Sequence, residues 1–380
     1  MIRVCHVITG LFTGGAETML YRLLSATDRE RFEPAVISLI DHGALGKRIE
    51  ALGIPVHVLG MPRGWPTPAG LWRFRRLLRN LRPQVLQGLM YHGNLAASLG
   101  RMLAAGRPPV IWGIHHSLLG FDAERPSLRA AIQMSRRLSG ATAATVYVSQ
   151  ASMAQHAAFG FKDRLPRVIP NGFDGAAFRP DPEARRAFRA ELGAGDGEAL
   201  VGLVARYHPM KDHANLFRAA RRLADEGRAV RLVLAVTGID AANGELVSVI
   251  EKLGLRERVT LLGELRDTAA IMAGLDLLCM SSSHGEALPL AVGEAMASGT
   301  PCVVTDVGDA AWLVGNTGRA VPARDSEALA EALAVLLDLG ENQRRDLGAA
   351  ARRRVLEYFS LDAAAGAYQA LYGELLDLPT

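Results

Sequence analysis

The stretch LDLLCMSSSHGEALPLAVGEAMASGTPCVVT, residues 275–305, decides the fold. It opens and closes with short apolar runs, at 275–280 and 300–305, that are typical of buried strands. Pro289 lies between them, and proline suits the first turn of a helix better than its interior. A strand, a helix and a second strand in this order predict a βαβ unit of a parallel sheet.

Similar apolar runs recur along the chain, separated by longer amphipathic segments. They lie at 2–8, 34–40, 83–89, 108–114 and 144–149 and, after a turn-rich break at 160–198, at 200–205, 230–236 and 258–263. The 380 residues exceed what one hydrophobic core usually serves. We therefore predict an α/β protein of two tandem Rossmann-like domains, 1–165 and 166–358. A C-terminal helix in 359–380 either caps the second domain or crosses back to the first.

Composition narrows the classes of protein. Hydrophobic residues make up 49% and charged residues 22% of the chain, as in ordinary globular proteins. Cys5, Cys279 and Cys302 have neither metal-ligand spacing nor an even count, so we expect small buried thiols. No signal peptide or membrane-length apolar run is visible, and a cytoplasmic location is expected. A net charge of +4 suits an anionic ligand or membrane surface without requiring nucleic acid.

Two glutamates, Glu286 and Glu294, stand eight residues apart in the deciding stretch. If the helix starts near Pro289, Glu286 lies in the loop at its mouth and Glu294 about one turn inside. A helix N-terminus favours a phosphate, and carboxylates accept hydrogen bonds from hydroxyl groups such as those of sugars. The pattern therefore indicates a nucleotide-sugar pocket. The alternative is that the acidic residues only complement the helix dipole.

Other candidate residues also follow predicted strands, where open parallel sheets bind ligands. Arg206 and Lys211, after the run at 200–205, can neutralise a diphosphate, or they are solvated surface charges. Gly14 and Gly15, where a loop enters a helix, allow a phosphate or sugar to approach the backbone, or form an ordinary tight turn. His115, after the run at 108–114, can bind a sugar hydroxyl, or is structural.

In this order, these segments resemble the retaining glycosyltransferases of family 4, which have the GT-B architecture. The resemblance runs nearly end to end and rests on several motifs. They are GGAE at 14–17, GIHHS at 113–117, VIPNGFD at 168–174, RYHPMKDH at 206–213 and EALPLAVGEAMASGTPCVVTDVGD at 286–309. It implies two facing domains with the ligand in the cleft between them.

The resemblance also implies a role for each candidate residue. His115 contacts the transferred sugar near its reacting carbon, and Glu286 holds the same sugar. Arg206 and Lys211 bind the diphosphate, and Glu294 binds the ribose hydroxyls. His115, Glu286, Arg206 and Lys211 are thus the implied catalytic residues. The full donor-binding set, with the nucleobase near Gly263 and Leu265, is Gly14, Gly15, Arg206, Lys211, Gly263, Leu265, Glu286, Ala287, Leu288 and Glu294.

Two segments depart from the family pattern. Position 113 is glycine where threonine is usual, and His116 and Ser117 stand in place of the usual acid. The glycine turn after the glutamate block carries Asp309 and Trp312 instead of the more common G-G-x-x-E. We expect these changes to affect sugar or acceptor preference, because they leave the cationic clamp and the glutamates intact.

The implied reaction is metal-independent transfer of a sugar, with retention, from a nucleoside-diphosphate sugar to a glycan or lipid-linked acceptor. UDP is the expected nucleotide, and no cofactor other than the donor and no nucleic acid is expected. The family has no agreed protein nucleophile, and our hypothesis is front-face attack. In that mechanism, the departing phosphate oxygen helps to accept the proton of the acceptor.

The N-terminal half carries a basic segment, WRFRRLLRNLR at 72–82. A basic amphipathic helix of this kind lies on an anionic membrane surface or packs as an ordinary helix with its arginines outward. Members of the family that this chain resembles often extend lipid-linked glycans at the cytoplasmic face of the membrane, which favours peripheral membrane contact. Two other functions fit the same frame, namely a nucleotide-sugar epimerase or hydrolase, and a nucleotide-sugar-binding subunit without catalysis.

Overall fold

In the computed structural model, the described residues are 1–62, 67–119, 121–195, 197–264 and 267–377. The chain forms two compact units. The N-terminal unit consists of Met1–Gly172 and the segment that starts at Leu361, and the C-terminal unit is Phe173–Ser360. Each unit contains one parallel sheet with intervening helices, so the α/β prediction is confirmed. No helix within the described residues is long and apolar enough to cross a membrane.

The sheet of the N-terminal unit has seven parallel strands. They are Ile2–Ile8 (β1), Phe32–Ser38 (β2), Val56–Val58 (β3), Val85–Leu89 (β4), Val110–Ile114 (β5), Ala144–Tyr147 (β6) and Pro166–Val168 (β7). Their order across the sheet is β3-β2-β1-β4-β5-β6-β7. The five apolar runs predicted for this half correspond to β1, β2, β4, β5 and β6. The sequence did not predict β3 and β7, because each has three residues and none of them is buried.

Helices lie between the strands of this unit. They are Gly15–Ser25 (α1), Gly43–Glu50 (α2), Pro68–Leu81 (α3), Met90–Leu103 (α4), Pro126–Leu138 (α5) and Gln150–Phe159 (α6). Local sequence fixes the start of α3, because the Thr67 hydroxyl accepts a hydrogen bond from the Gly70 N–H and Pro68 takes the first turn. Phe74 from α3 and Tyr91 from α4 are fully buried in the same core cluster as Trp112 of β5.

The sheet of the C-terminal unit has six parallel strands. They are Ala199–Val204 (β8), Val230–Ala235 (β9), Val259–Leu261 (β10), Leu277–Met280 (β11), Cys302–Thr305 (β12) and Arg319–Val321 (β13). Their order is β10-β9-β8-β11-β12-β13. The predicted strand runs correspond to β8 through β12. Burial is nearly complete along the central strands, which is why these runs are continuously apolar rather than alternating.

The helices of this unit are Pro182–Glu191 (α7), His213–Asp225 (α8), Gly244–Lys252 (α9), Thr268–Gly274 (α10), Leu290–Ala297 (α11), Ala310–Val314 (α12), Ser326–Leu337 (α13) and Glu341–Tyr358 (α14). Short polar side chains cap five of them. The capping residues, each accepting a backbone N–H in the first turn, are Asp181, Asp212, Asn243, Asp267 and Asp325. The α11 helix begins directly after Pro289, as the sequence predicts.

The last helix, Leu361–Asp377 (α15), packs within the N-terminal unit. It buries the apolar stripe Tyr368, Leu371 and Leu375. The Tyr372 hydroxyl donates a hydrogen bond to Oε1 of Gln87 in β4, and its ring lies edge-on to Phe32 with centroids 5.8 Å apart. α15 and Leu23 of α1 pack in one cluster with residues of the N-terminal strands, and the two helices contact each other.

The chain leaves and re-enters the N-terminal unit at adjacent points. A Cβ atom on Gly172 would lie 2.7 Å from Cα of Leu361, so the close approach requires glycine. One residue further along, Phe173 forms a parallel bridge with Ser360, and its N–H donates to the Phe359 carbonyl at 2.9 Å. The C-terminal unit is thus an insertion whose two ends are paired.

Candidate active site

The strand order of the C-terminal sheet reverses at β8 and β11, which are neighbours although β9 and β10 separate them in sequence. Open parallel sheets bind ligands beside the carboxyl ends of strands at such a point. The loop after β8 carries Arg206 and Lys211, and the loop after β11 carries Glu286. The structure therefore brings the predicted cationic residues and the first glutamate to one edge of the sheet.

Lys211 and Glu286 form an ion pair at this edge. Nζ of Lys211 lies 2.5 Å from Oε1 of Glu286, and the side chains are only 18% and 9% exposed. The Ser282 hydroxyl donates to the same oxygen at 2.6 Å. Removing one partner of a buried ion pair leaves an uncompensated charge and costs about 3–5 kcal/mol, whereas a ligand can replace the lost partner. The pair therefore places a cation and a carboxylate side by side, with little exposure to solvent, where a ligand can contact both.

Serine residues join the two loops that carry this pair. The Ser281 hydroxyl donates to the Lys211 carbonyl at 2.8 Å, and the Ser283 N–H donates to the Met210 carbonyl at 2.8 Å. These bonds run directly from the loop after β11 to the loop after β8. The relative position of Lys211 and Glu286 is consequently fixed by backbone contacts as well as by their own attraction.

Arg206 differs from Lys211 in its surroundings. It lies two residues beyond the end of β8, and its side chain is exposed. No carboxylate within the described ranges forms an ion pair with its guanidinium. A free, exposed guanidinium can grip phosphate oxygens in a bidentate fork. Of the two residues predicted to bind the diphosphate, Lys211 is therefore paired with a carboxylate and Arg206 is exposed to solvent.

The start of α11 lies next to the Glu286 loop. Ala287 and Leu288 are buried at 6% and 5% exposure, and Pro289 provides no side-chain cap for the helix. The Asp309 N–H donates to the Ala287 carbonyl at 2.9 Å, which holds this segment against the turn after β12. Gly308 in that turn has φ +61°, and a Cβ there would overlap the Glu286 carbonyl. The glycine turn is therefore required for the shape of the Glu286 segment.

Glu294 lies one turn inside α11, as predicted, and is 8% exposed. Its predicted contact with ribose hydroxyls stays a prediction. Trp312, which departs from the family pattern, packs edge-on against Phe359 with ring centroids 4.7 Å apart. Its carbonyl also accepts a hydrogen bond from Arg354 at 2.6 Å. Trp312 thus contributes to the packing of the C-terminal unit.

The predicted nucleobase segment follows β10. Gly263 has φ +68°, its N–H donates to the Ile239 carbonyl at 2.7 Å, and its carbonyl accepts the Val236 N–H at 2.7 Å. These bonds tie the ends of β9 and β10 together. Leu265, the other residue predicted here, lies outside the described residues. Val236 itself has φ +98°, a backbone conformation that a β-branched residue rarely adopts.

The two glycines predicted to approach the donor lie at the carboxyl end of β1. Gly14 is the N-cap residue of α1, with an extended backbone, and its carbonyl accepts the Thr18 N–H at 2.9 Å. Gly15 begins the helix and is exposed. The Glu17 carboxylate lies directly beside Gly14, where it would overlap a Cβ atom. The predicted approach of the donor to these two glycines stays a prediction.

His115 follows β5 as predicted, but its ring lies inside the N-terminal unit. Both ring nitrogens are buried without a hydrogen-bond partner among the described residues, and burial lowers the pKa of His115 to about 4. The ring lines a small cavity together with Gln87 and Tyr368. In this conformation the imidazole is neutral and faces the interior. Its predicted contact with the transferred sugar therefore requires a different side-chain conformation.

Two sets of contacts escaped the sequence reasoning. Ser282 was not singled out, although a hydroxyl four residues before Glu286 was a possible signal. Tyr91 was also missed, and its hydroxyl lies 2.8 Å from Nε2 of His156 and 3.3 Å from Nδ1 of His116. The side-chain amide of Asn94 in α4 bonds both the N–H and the carbonyl of Gly113, each at 3.2 Å. These two hydrogen bonds link α4 to β5.

Two family models match this chain, one to each unit. The model described as Glycosyltransferase Family 4 matches residues 13–176, and the model described as Glycosyl transferases group 1 matches residues 184–354. The chain belongs to the glycosyltransferases of the family 4 type. The recognition made from the sequence motifs is thereby confirmed, as is the assignment of this protein as a glycosyltransferase.

Individual relatives agree with this assignment. The glycosyltransferase is 28% identical over 314 residues to EpsF of Bacillus subtilis (strain 168), covering 80% of this chain and 79% of that protein. It is 37% identical over 194 residues to D-inositol 3-phosphate glycosyltransferase of Nocardia farcinica (strain IFM 10152). That match covers 48% of this chain and 42% of the relative, less than half of its length.

Solved structures show the same fold. Anabaena HepE, whose structure contains UDP and glucose, superposes with a TM-score of 0.85 at 22% identity. The superposition covers 98% of this chain and 100% of that chain. Sucrose-phosphate synthase from Thermosynechococcus elongatus gives a TM-score of 0.80 over 99% of both chains. The predicted two-domain GT-B fold is therefore confirmed.

Proposed function

We propose that this glycosyltransferase uses a nucleoside-diphosphate sugar, with UDP as the nucleotide, and transfers the sugar with retention of configuration. The observation that carries the proposal is the ion pair of Lys211 and Glu286 at the switch point of the C-terminal sheet. A cation and a hydroxyl-accepting carboxylate in direct contact match the junction of a phosphate and a sugar. The HepE structures, solved with UDP and with UDP-glucose, support this choice of donor.

In the proposed reaction the bond between the anomeric carbon and the diphosphate oxygen breaks. The leaving group then carries additional negative charge, and Arg206 and Lys211 stabilise it. The acceptor hydroxyl attacks the same face of the sugar, and its proton passes to the departing phosphate oxygen. A new bond joins the acceptor oxygen to the anomeric carbon. Because two side-chain cations supply the charge, the step as proposed needs no divalent metal.

The proposed acceptor is a glycan or lipid-linked glycan used in cell-surface polysaccharide synthesis, at the inner face of the membrane. The α3 helix supports peripheral contact with an anionic surface. Trp72 is 61% exposed, and the Arg76 guanidinium lies 5.5 Å from its ring centroid. An exposed tryptophan beside arginines suits a membrane interface. We expect binding to anionic liposomes that weakens in Trp72→Ala, and equal binding to neutral liposomes would contradict it.

A thermal-shift panel of nucleoside-diphosphate sugars tests the donor assignment. Selective stabilisation by one nucleotide sugar is expected, because a ligand that binds only the folded state raises Tm. Lys211→Ala and Arg206→Ala should each weaken that shift, whereas Lys252→Ala, at an exposed position in α9, should preserve it. If the two site variants retain the full shift, the donor lies elsewhere and the proposal is wrong.

Product analysis then distinguishes the competing activities. With donor and acceptor present, the expected product keeps the anomeric configuration of the donor, and inversion would exclude front-face attack. Free sugar or an epimer formed without acceptor would indicate a hydrolase or epimerase. Donor binding without any turnover would indicate a binding subunit. Removing divalent metal with a chelator should leave turnover unchanged.

A further inference from the structure

The two oxygens of the Glu286 carboxylate have different surroundings. Oε1 accepts hydrogen bonds from the Lys211 ammonium at 2.5 Å and from the Ser282 hydroxyl at 2.6 Å. Oε2 accepts no hydrogen bond from any residue that the structure describes. It is also not one of the fully buried polar atoms that lack a hydrogen-bond partner. One oxygen is therefore saturated by the protein, and the other is left to a ligand.

Ser282 is itself held firmly. It has no exposed surface, and its carbonyl accepts a hydrogen bond from the Thr305 hydroxyl of β12 at 2.6 Å. The serines on either side of it bond the loop after β8, through the carbonyls of Lys211 and Met210. The hydroxyl of Ser282 consequently starts from a fixed backbone position between β11 and β12.

This arrangement has a chemical consequence. A carboxylate that accepts one hydrogen bond can rotate about its terminal torsion, which is broad for glutamate. Two donors on the same oxygen from different directions remove that freedom and fix the direction in which Oε2 points. A serine hydroxyl has a single proton. While Ser282 donates it to Oε1, the serine has no proton to offer a ligand, so its effect on a ligand passes through Glu286.

We propose that Ser282 is a positioning residue that, with Lys211, orients Glu286 so that Oε2 accepts a hydrogen bond from a hydroxyl of the donor sugar. The inference rests on the proposed function and specifies it further. Sugar recognition, unlike diphosphate binding, depends on the Ser282 hydroxyl. A donor whose recognised hydroxyl is replaced by hydrogen or fluorine should lose this contact, because neither substituent can donate.

The test compares UDP-glucose with UDP, or the nucleotide sugar that the panel selects with its nucleoside diphosphate. In Ser282→Ala, UDP affinity should stay within about twofold of the wild type. Affinity and kcat/KM for the nucleotide sugar should fall about tenfold or more, the size expected for a misplaced charge-assisted hydrogen bond. Ser283→Ala is the matched control, because the neighbouring hydroxyl contacts Met210 and His284 but not Glu286.

A double-mutant cycle with Glu286→Gln separates positioning from a general structural effect. If Ser282 acts through the Glu286 carboxylate, Ser282→Ala should add little loss in the Glu286→Gln background. Additive losses, or equal losses of UDP and nucleotide-sugar affinity, would overturn the inference. Unchanged sugar affinity in Ser282→Ala would overturn it as well. If the wild type binds no nucleotide sugar at all, the proposed function itself fails and the inference fails with it.

Discussion

At the scale of single residues, the strained backbone of Val236 is informative. Its φ of +98° belongs to a region that glycine occupies freely and that costs other residues about 1–3 kcal/mol. Its backbone still bonds the Gly263 carbonyl and the Ile239 N–H, at 2.7 and 3.1 Å. The surrounding turn therefore imposes this conformation on a residue that disfavours it.

We predict that Val236→Gly stabilises the protein by about 1 kcal/mol, because relief of strain outweighs the added entropy of the unfolded chain. Urea unfolding of the two proteins measures the difference. Val259→Gly is the control, since φ there is −128° and the substitution should destabilise. A lower unfolding midpoint for Val236→Gly would show that the valine side chain contributes more through packing than its backbone costs.

His6 gives a pH-dependent prediction. It is 2% exposed in β1, and burial lowers its pKa to about 4 from 6.5. The folded state thus binds fewer protons than the unfolded state between these values. Its contribution to stability is complete above pH 6.5 and is lost as the pH falls toward 4. When the pH is lowered from 7.5 to 5.0, we predict that the free energy of unfolding of His6→Leu falls by about 1–2 kcal/mol less than that of the wild type.

Urea unfolding at the two pH values measures this difference. His208→Leu, which removes an exposed histidine, serves as the control and should retain the pH response of the wild type. Burial lowers the pKa values of His115, His156 and His213 to about 4 as well, so part of the response should remain in His6→Leu. An unchanged response would show that His6 is protonated in the folded state.

At the scale of elements, Tyr91 joins two helices and a loop. Nδ1 of His156 lies 2.7 Å from the Ser152 carbonyl and must donate to it, so Nε2 accepts the Tyr91 hydroxyl proton. The Tyr91 oxygen also lies 3.3 Å from Nδ1 of His116, whose Nε2 lies 3.0 Å from Oε1 of Glu124. The chain of hydrogen bonds connects α4, α6 and the loop that follows β5.

Tyr91→Phe should destabilise the protein by about 1–3 kcal/mol, because it leaves buried imidazole nitrogens without a partner. Chemical denaturation measures the loss, and Tyr358→Phe, at a residue that is 58% exposed, is the control. Equal midpoints for Tyr91→Phe and the wild type would mean that water replaces the phenol in this network.

Some of these elements could be predicted from the sequence, and some of the contacts between them could not. The central strands and the start of α11 were predictable, because burial on both faces and a proline leave local signals. The contact of Lys211 with Glu286 was not, because it spans 75 positions and depends on β8 lying beside β11. The inward His115 ring was also beyond reach, since its cavity is completed by Tyr368 of the distant α15.

At the scale of the whole molecule, the paired ends of the insertion lead to a prediction. Residues 173–360 expressed alone should fold into a cooperative unit, because their core cluster is self-contained and Phe173 and Ser360 already meet. Circular dichroism and a single urea transition would show this.

Residues 1–172 alone should aggregate, because loss of α15 exposes Phe32, Ile111 and Ile169. A soluble, cooperative 1–172 fragment would contradict the prediction.

The return of α15 to the first sheet also has a consequence during synthesis. Since its apolar stripe follows the whole C-terminal unit in sequence, the ribosome completes the N-terminal unit only after it has made the C-terminal unit. The middle unit emerges complete beforehand and can fold while the chain is still attached. A nascent chain released before α15 is made would carry a complete C-terminal unit and an incomplete N-terminal unit, so we expect it to be degraded.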